Sequence, residues 1–133
     1  MGASPKYFVA IFGEPKPGKS LVESGQYDPD PIYAPFDTKP GDVMLLYCTA
    51  SYGKYSKEIP GLGIVLQTDI KWVRYQWLPF KEPIPKVTID GAFEAADIAK
   101  FKNIRRKSFW LFEISQPSFV QTVDSQAVAW DKL

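Results

Sequence analysis

Between Glu14 and Gly41 the chain carries Pro15, Pro17, Pro29, Pro31, Pro35 and Pro40, and this spacing constrains the fold more than any other feature. Proline fixes its own φ and lacks the N–H that a helix interior or a central strand needs. The stretch is therefore a long excursion with room for a single helical turn, at "KSLVES". Loops of that length inside a compact domain are functional or mobile. Core has to come from the apolar runs on either side.

Those runs read as strands. Tyr7 to Phe12 is continuous, aromatic and β-branched, the pattern of a strand covered on both faces. "KPGDVMLLYC" is a Pro-Gly turn feeding a second buried strand, Val43 to Cys48, and "LGIVLQT" is a third. "KWVRYQWLPF" alternates, with Val73, Tyr75 and Trp77 on one face and Trp72, Arg74 and Gln76 on a wetter one. "KVTI", after Pro79, Pro83 and Pro85, reads as a short edge strand. Asp90 then caps a short helix over Ala92 to Lys102, with Phe93, Ile98 and Phe101 inward. "SFWLFEI" is a further buried strand, and "DSQAVAWDKL" a final short helix anchored by Val128 and Trp130.

About six strands and two or three short helices, not in βαβα order, predict an α+β fold built on a partly open mixed β-barrel, not a doubly wound sheet. With 133 residues the chain holds one domain, 6–133, behind a disordered tail, 1–5. No apolar stretch reaches the roughly 20 residues of a membrane span, and "MGASPK" lacks the apolar core of a signal peptide. The expectation is a cytoplasmic protein without membrane contact.

"GEPKPGKS", residues 13–20, fits the phosphate-binding loop pattern G-x-x-x-x-G-K-[ST]. Such a loop works through consecutive backbone N–H groups and a full helix that opens at the lysine. Here Pro15 and Pro17 remove two donors, and only "LVES" separates Ser20 from Gly25. The reading is a proline-stiffened surface turn, and the nucleotide-triphosphatase alternative is set aside.

The chain has no histidine and one cysteine, Cys48. That excludes an internal disulfide, and with it a cysteine or histidine zinc site and any histidine-based triad or general base. The acids are scattered. No catalytic residue, metal or cofactor is assigned, and a binding module is favoured over an enzyme. Aromatic residues make up 15% of the chain, more than a core of this size requires, so some belong to a contact surface.

Three segments in order, "KYFVAIFGEP", "KPGDVMLLYCTAS" and "PGLGIVLQT", resemble the EVE family of the PUA-like superfamily, to which the YTH domains are related. The likeness spans about residues 6–78 and continues loosely to Ile114. It implies a PUA-like barrel with a pocket at one end and a ligand that is a nucleic-acid base, modified bases included, gripped by flat rings and edge hydrogen bonds. Carried over by position, Gly13 and Glu14 lie at the pocket floor, Tyr47 and Thr49 at the end of the second strand, and Ser51 and Tyr52 on the rim. The chain departs from the family pattern where Phe12-Gly13 replaces a Lys-Ser pair and where "GQYDPDPIYAPFDT" replaces a helical segment. Within that replacement Tyr33 and Phe36 are candidates for a stacking wall.

"KFKNIRRKSFW" gathers Lys100, Lys102, Arg105, Arg106 and Lys107 with no acid between Asp97 and Glu113. The cluster suits a phosphate backbone; a solvated turn between helix and strand is the competing reading, because the net charge is only +1. The expected function is non-enzymatic recognition of a base or nucleotide in DNA or RNA. The alternative, from another class, is a protein-interaction or accessory domain with a vestigial pocket and a protein partner.

Overall fold

The computed structural model describes residues 5–14, 21–27, 38–69, 72–102 and 111–124. Six strands form one mixed sheet: β1 (Tyr7–Phe12), β2 (Gln26–Tyr27), β3 (Val43–Cys48), β4 (Glu58–Thr68), β5 (Val73–Pro85) and β6 (Leu111–Ile114). Their order across the sheet is β2-β5-β4-β3-β1-β6, curled into a half-barrel. Only β1 and β3 run parallel, and the other neighbours are antiparallel. Three helices accompany the sheet among the described residues: α1 (Lys86–Ala92), α2 (Ala95–Lys102) and α3 (Gln116–Asp124). The expected α+β, partly open mixed barrel is the architecture observed.

Strand alternation divides the core in two. On one face Val9 and Ile11 of β1, Leu45 and Tyr47 of β3, and Ile59 and Leu62 of β4 pack with Ile89, Phe93, Phe101, Phe119 and Val123 from the helices. On the other face Phe8, Ala10 and Phe12 meet Met44, Leu46, Cys48, Val65, Val73 and Tyr75, together with Val22, Tyr27 and Tyr52 from outside the long strands. β1 is thus covered on both sides, as its unbroken apolar run requires. Prolines fall where the ladder tolerates them. Pro60 sits at a register shift in β4, and Pro79, Pro83 and Pro85 lie along β5, whose outer neighbour is the two-residue β2.

Several expectations need correction. "KVTI" is the first turn of α1, not an edge strand; Pro85 occupies the N-cap with φ −71° and ψ 152°, and Ile89 and Ala92 are buried while Val87 is exposed. Asp90 lies inside α1, so the helix expected over 92–102 begins at Ala95 after a break at Phe93 and Glu94. That break is bridged from a distance: the Glu94 N–H donates to Ser118 Oγ at 2.8 Å. Of "SFWLFEI", residues 108–110 lie outside the described residues, and Leu111–Ile114 is strand. It is an edge strand with half-buried Leu111 and Phe112 and an exposed Glu113, not a buried one. A helix at Gln116–Asp124 was not anticipated, and the expected helix over 124–133 lies, beyond Asp124, outside the described residues.

Candidate functional site

The proline-rich excursion comes back onto the sheet at Leu21–Tyr27. A three-residue 3-10 turn, Val22–Ser24, ends at Gly25 in the left-handed region, φ 80°; it stands where a phosphate-binding loop would begin its helix. Val22 is fully buried, and both of its backbone polar groups are met by tyrosine hydroxyls from the sheet side. Its N–H donates to Tyr52 Oη at 3.0 Å, and its carbonyl accepts from the Tyr75 hydroxyl. The Tyr75 N–H adds a bond to the Gly25 carbonyl at 2.8 Å. A buried loop needs such partners, because its backbone has no ladder of its own.

This pinning places the next residue, Glu23, at the rim. Lys54 Nζ donates to Glu23 Oε2 at 2.9 Å, and the Tyr52 and Tyr55 hydroxyls reach the same carboxylate at a longer 3.4 Å each. The two rings stack, centroids 6.1 Å apart and 26° between planes, and Lys54 Nζ lies 5.0 Å from the Tyr55 centroid. The side chains of Glu23 and Lys54 are 33% and 66% exposed, so the pair opens to solvent while Tyr52 is buried beneath it. Burial works to raise the Glu23 carboxyl, but the hydrogen bonds and charge of Lys54 and the Tyr52 hydroxyl outweigh it and hold the group below its ordinary value. Burial pushes the Tyr52 hydroxyl up to about 12, with the Glu23 charge adding to it. The site therefore presents a carboxylate acceptor, an ammonium donor and a half-buried ring face.

The sequence-predicted residues divide around this point. Gly13, half-buried, and Glu14, exposed, leave the end of β1. The Thr49 N–H donates to the Phe12 carbonyl at 2.9 Å, and Thr49 Oγ1 and Ser51 Oγ lie 3.0 Å apart. Gly13, Glu14, Thr49, Ser51 and Tyr52 thus belong to one end of the half-barrel. Tyr47 does stand near the end of β3, but alternation turns it to the helix face, where it meets Phe101 edge-on at 4.9 Å, while Tyr52 packs on the opposite face. Tyr33 lies outside the described residues, as do Phe36, Arg105, Arg106, Lys107 and Trp130. Of the basic cluster, Lys100 Nζ donates to the Glu113 carbonyl at 2.8 Å and stands 3.9 Å from Asp97, and Lys102 is exposed.

Sequence reasoning missed Glu23, the acid at the centre. Its only local signal is a place in a one-turn segment, since its partners lie 29 to 32 residues away. Among the described residues no group of three or more histidine, cysteine or acidic side chains could hold a metal ion. No helix among them is long and apolar enough to cross a membrane.

The fold and site define an α+β half-barrel with a tyrosine-and-carboxylate rim at one end. No protein-family model and no curated protein matches the chain. A solved structure does: the NMR structure of Rpa0253 from Rhodopseudomonas palustris, a structural genomics target, is similar with a TM-score of 0.62 and 15% identity, over 92% of this chain and 94% of that one. At that identity the likeness is one of fold.

Proposed function

We propose that the protein is a non-enzymatic binding domain that holds a nucleobase or nucleotide, modified bases included, at the Glu23 rim. The observation that carries this reading is the convergence of the Glu23 carboxylate, the Lys54 ammonium and the stacked Tyr52–Tyr55 pair on one partly open spot. A base stacks on the Tyr55 ring, its amino or imino edge donates to Glu23, and its phosphate takes Lys54 in place of the present ion pair. Base stacking on an aromatic side chain contributes roughly 1–3 kcal/mol. A carboxylate is a suitable acceptor for an exocyclic amine, whose discrimination is of the same order. The resemblance of residues 6–78 to the EVE family supports the same reading, although Tyr47 takes no part in it.

The test is fluorescence titration with nucleotides and short single-stranded oligonucleotides, read on the tyrosines and on Trp77, which packs against the same aromatic face. Quenching that saturates, and weakens tenfold or more in Glu23→Gln and Tyr55→Leu, supports the proposal. Binding untouched by both substitutions would exclude this site as the ligand's seat.

A further inference from the structure

We infer that Lys57, Lys86 and Lys102 form a cationic ridge on the helix side of the same end of the half-barrel, a seat for the phosphates of single-stranded nucleic acid. The inference rests on the base-binding reading above and extends it to residues outside that site. The Lys86 N–H donates to the Lys57 carbonyl at 2.9 Å, which sets the start of α1 beside the turn before β4. Lys86 Nζ then lies 5.9 Å from the ring of Phe101, the residue before Lys102. All three lysines are exposed. The ion pairs among the described residues are Lys54–Glu23 and Lys100–Asp97, so no carboxylate of the described residues lies within 4.0 Å of a ridge lysine.

Two further observations give the ridge direction. Glu58, the nearest acid in sequence to Lys57, is the register partner of Cys48, whose side chain belongs to the tyrosine face; directly opposite residues of paired strands share a face, so Glu58 lies away from the helix side, as does Glu23 at the tyrosine rim. Lys57 also holds φ 58°, the positive-φ conformation found outside glycine among the described residues. That conformation is uncommon for residues with a side chain and is retained where the surroundings or a function demand it. The turn itself supplies the reason: the Glu58 N–H donates to the Tyr55 carbonyl at 3.0 Å, which makes Lys57 the third residue of a four-residue turn, a position that takes positive φ, and leaves its side chain exposed. Tyr55 lies two residues earlier in the same turn, so a strand with a base on Tyr55 passes its backbone directly onto Lys57 and then along Lys86 and Lys102.

The experiment is a fluorescence-anisotropy titration of a labelled 15-nucleotide oligothymidylate at several salt concentrations. It compares wild type, Lys57→Gln/Lys86→Gln/Lys102→Gln, and a charge-matched control, Lys6→Gln/Lys39→Gln/Lys81→Gln. Each phosphate neutralised on a single strand contributes a slope of about −0.7 in log K against log salt, so the ridge variant loses roughly two units of slope and at least tenfold in affinity at low salt. The control keeps its slope to within about one unit. Lys57→Gly provides a second readout: it weakens binding severalfold yet melts at the wild-type temperature or above, because glycine adopts this φ freely. Equal losses in ridge and control variants, or none in either, overturn the ridge. If Glu23→Gln and Tyr55→Leu still weaken binding in that case, the base site stands without it. If only the ridge variant loses binding, the ridge stands and the base site falls. No binding by wild type overturns both.

Discussion

Removing the Tyr52 hydroxyl is the most informative single perturbation, because the Val22 N–H is fully buried and this oxygen is its acceptor. In Tyr52→Phe the ring remains, the donor is left without a partner, and a buried unsatisfied group costs about 1–3 kcal/mol. The 3.4 Å contact to Glu23 is too long to add much. We expect a loss of about 2 kcal/mol, or roughly 6–10 °C in melting temperature for a domain of this size. Tyr75→Phe removes the partner of the Val22 carbonyl and costs about 1–2 kcal/mol by the same argument. The two losses are not independent. Once either bond is gone, the turn gains access to water and the other hydroxyl holds less, so the double variant falls short of the sum by about 1 kcal/mol. Urea unfolding followed by tryptophan fluorescence gives the three values, and hydrogen exchange gives the protection of the Val22 amide. A Tyr52→Phe protein within about 0.5 kcal/mol of wild type, with Val22 still protected, would refute the claim that tyrosine hydroxyls hold the excursion down.

Gly25→Ala places a Cβ 2.9 Å from the Tyr75 carbonyl oxygen at φ +80°, whereas Gly41→Ala at φ +96° meets nothing within 4 Å; thermal melts should show the first costing about 1–3 kcal/mol more than the second. Asp97 is buried and its Oδ2 accepts from Ser118 Oγ at 2.6 Å and the Ser115 N–H at 2.9 Å. Asp97→Ala should therefore cost about 3 kcal/mol in urea unfolding, while Asp97→Asn, which keeps an oxygen there, costs about 1. The Tyr52 hydroxyl titrates at about 12 in the folded chain against an ordinary 10.0. The folded state therefore holds its proton more tightly, and the stability this gives is complete below pH 10 and lost as pH rises toward 12. Urea unfolding between pH 9 and 12 should show this decline in wild type and a shallower one in Tyr52→Phe.

Much of the sheet was legible because four strands announce themselves by apolar continuity or alternation, at Tyr7–Phe12, Val43–Cys48, "LGIVLQT" and "KWVRYQWLPF", although β4 starts earlier, at Glu58, and β5 runs on through its prolines to Pro85. The errors arise where neighbours outweigh local preference. Val87, Thr88 and Ile89 favour a strand by composition, yet α1 packs its Ile89 into the helix-side core and leaves Val87 to solvent. The α3 start did carry a signal, since Ser115 Oγ accepts from the Ser118 N–H at 3.2 Å as an N-cap, with Pro117 in the first turn. Of the four rim residues Glu23, Tyr52, Lys54 and Tyr55, Tyr52 is the one among the site residues read from the sequence; Gly13, Glu14, Thr49 and Ser51 share its end of the sheet because β1 and β3 are parallel neighbours. Two-residue alternation puts Tyr47 on the face opposite Tyr52, and Glu23 was invisible because long-range contacts put it there.

The two cores also explain where the tyrosines fall. Helices satisfy their own backbone hydrogen bonds, so the sheet face they cover can be met largely by Phe80, Phe93, Phe101 and Phe119. The opposite face is covered in part by a 3-10 turn and a two-residue strand, whose backbone groups need partners from elsewhere. Tyrosine supplies an apolar ring for the core and a hydroxyl for the loop in one side chain. Tyr52 and Tyr75 spend their hydroxyls on Val22. Tyr55, farther out and half-buried, directs its hydroxyl to the partly exposed Glu23. A single solution to covering a sheet with a loop thus leaves, at its outermost member, a half-buried ring beside a partly exposed carboxylate, the two groups on which the proposed base site rests.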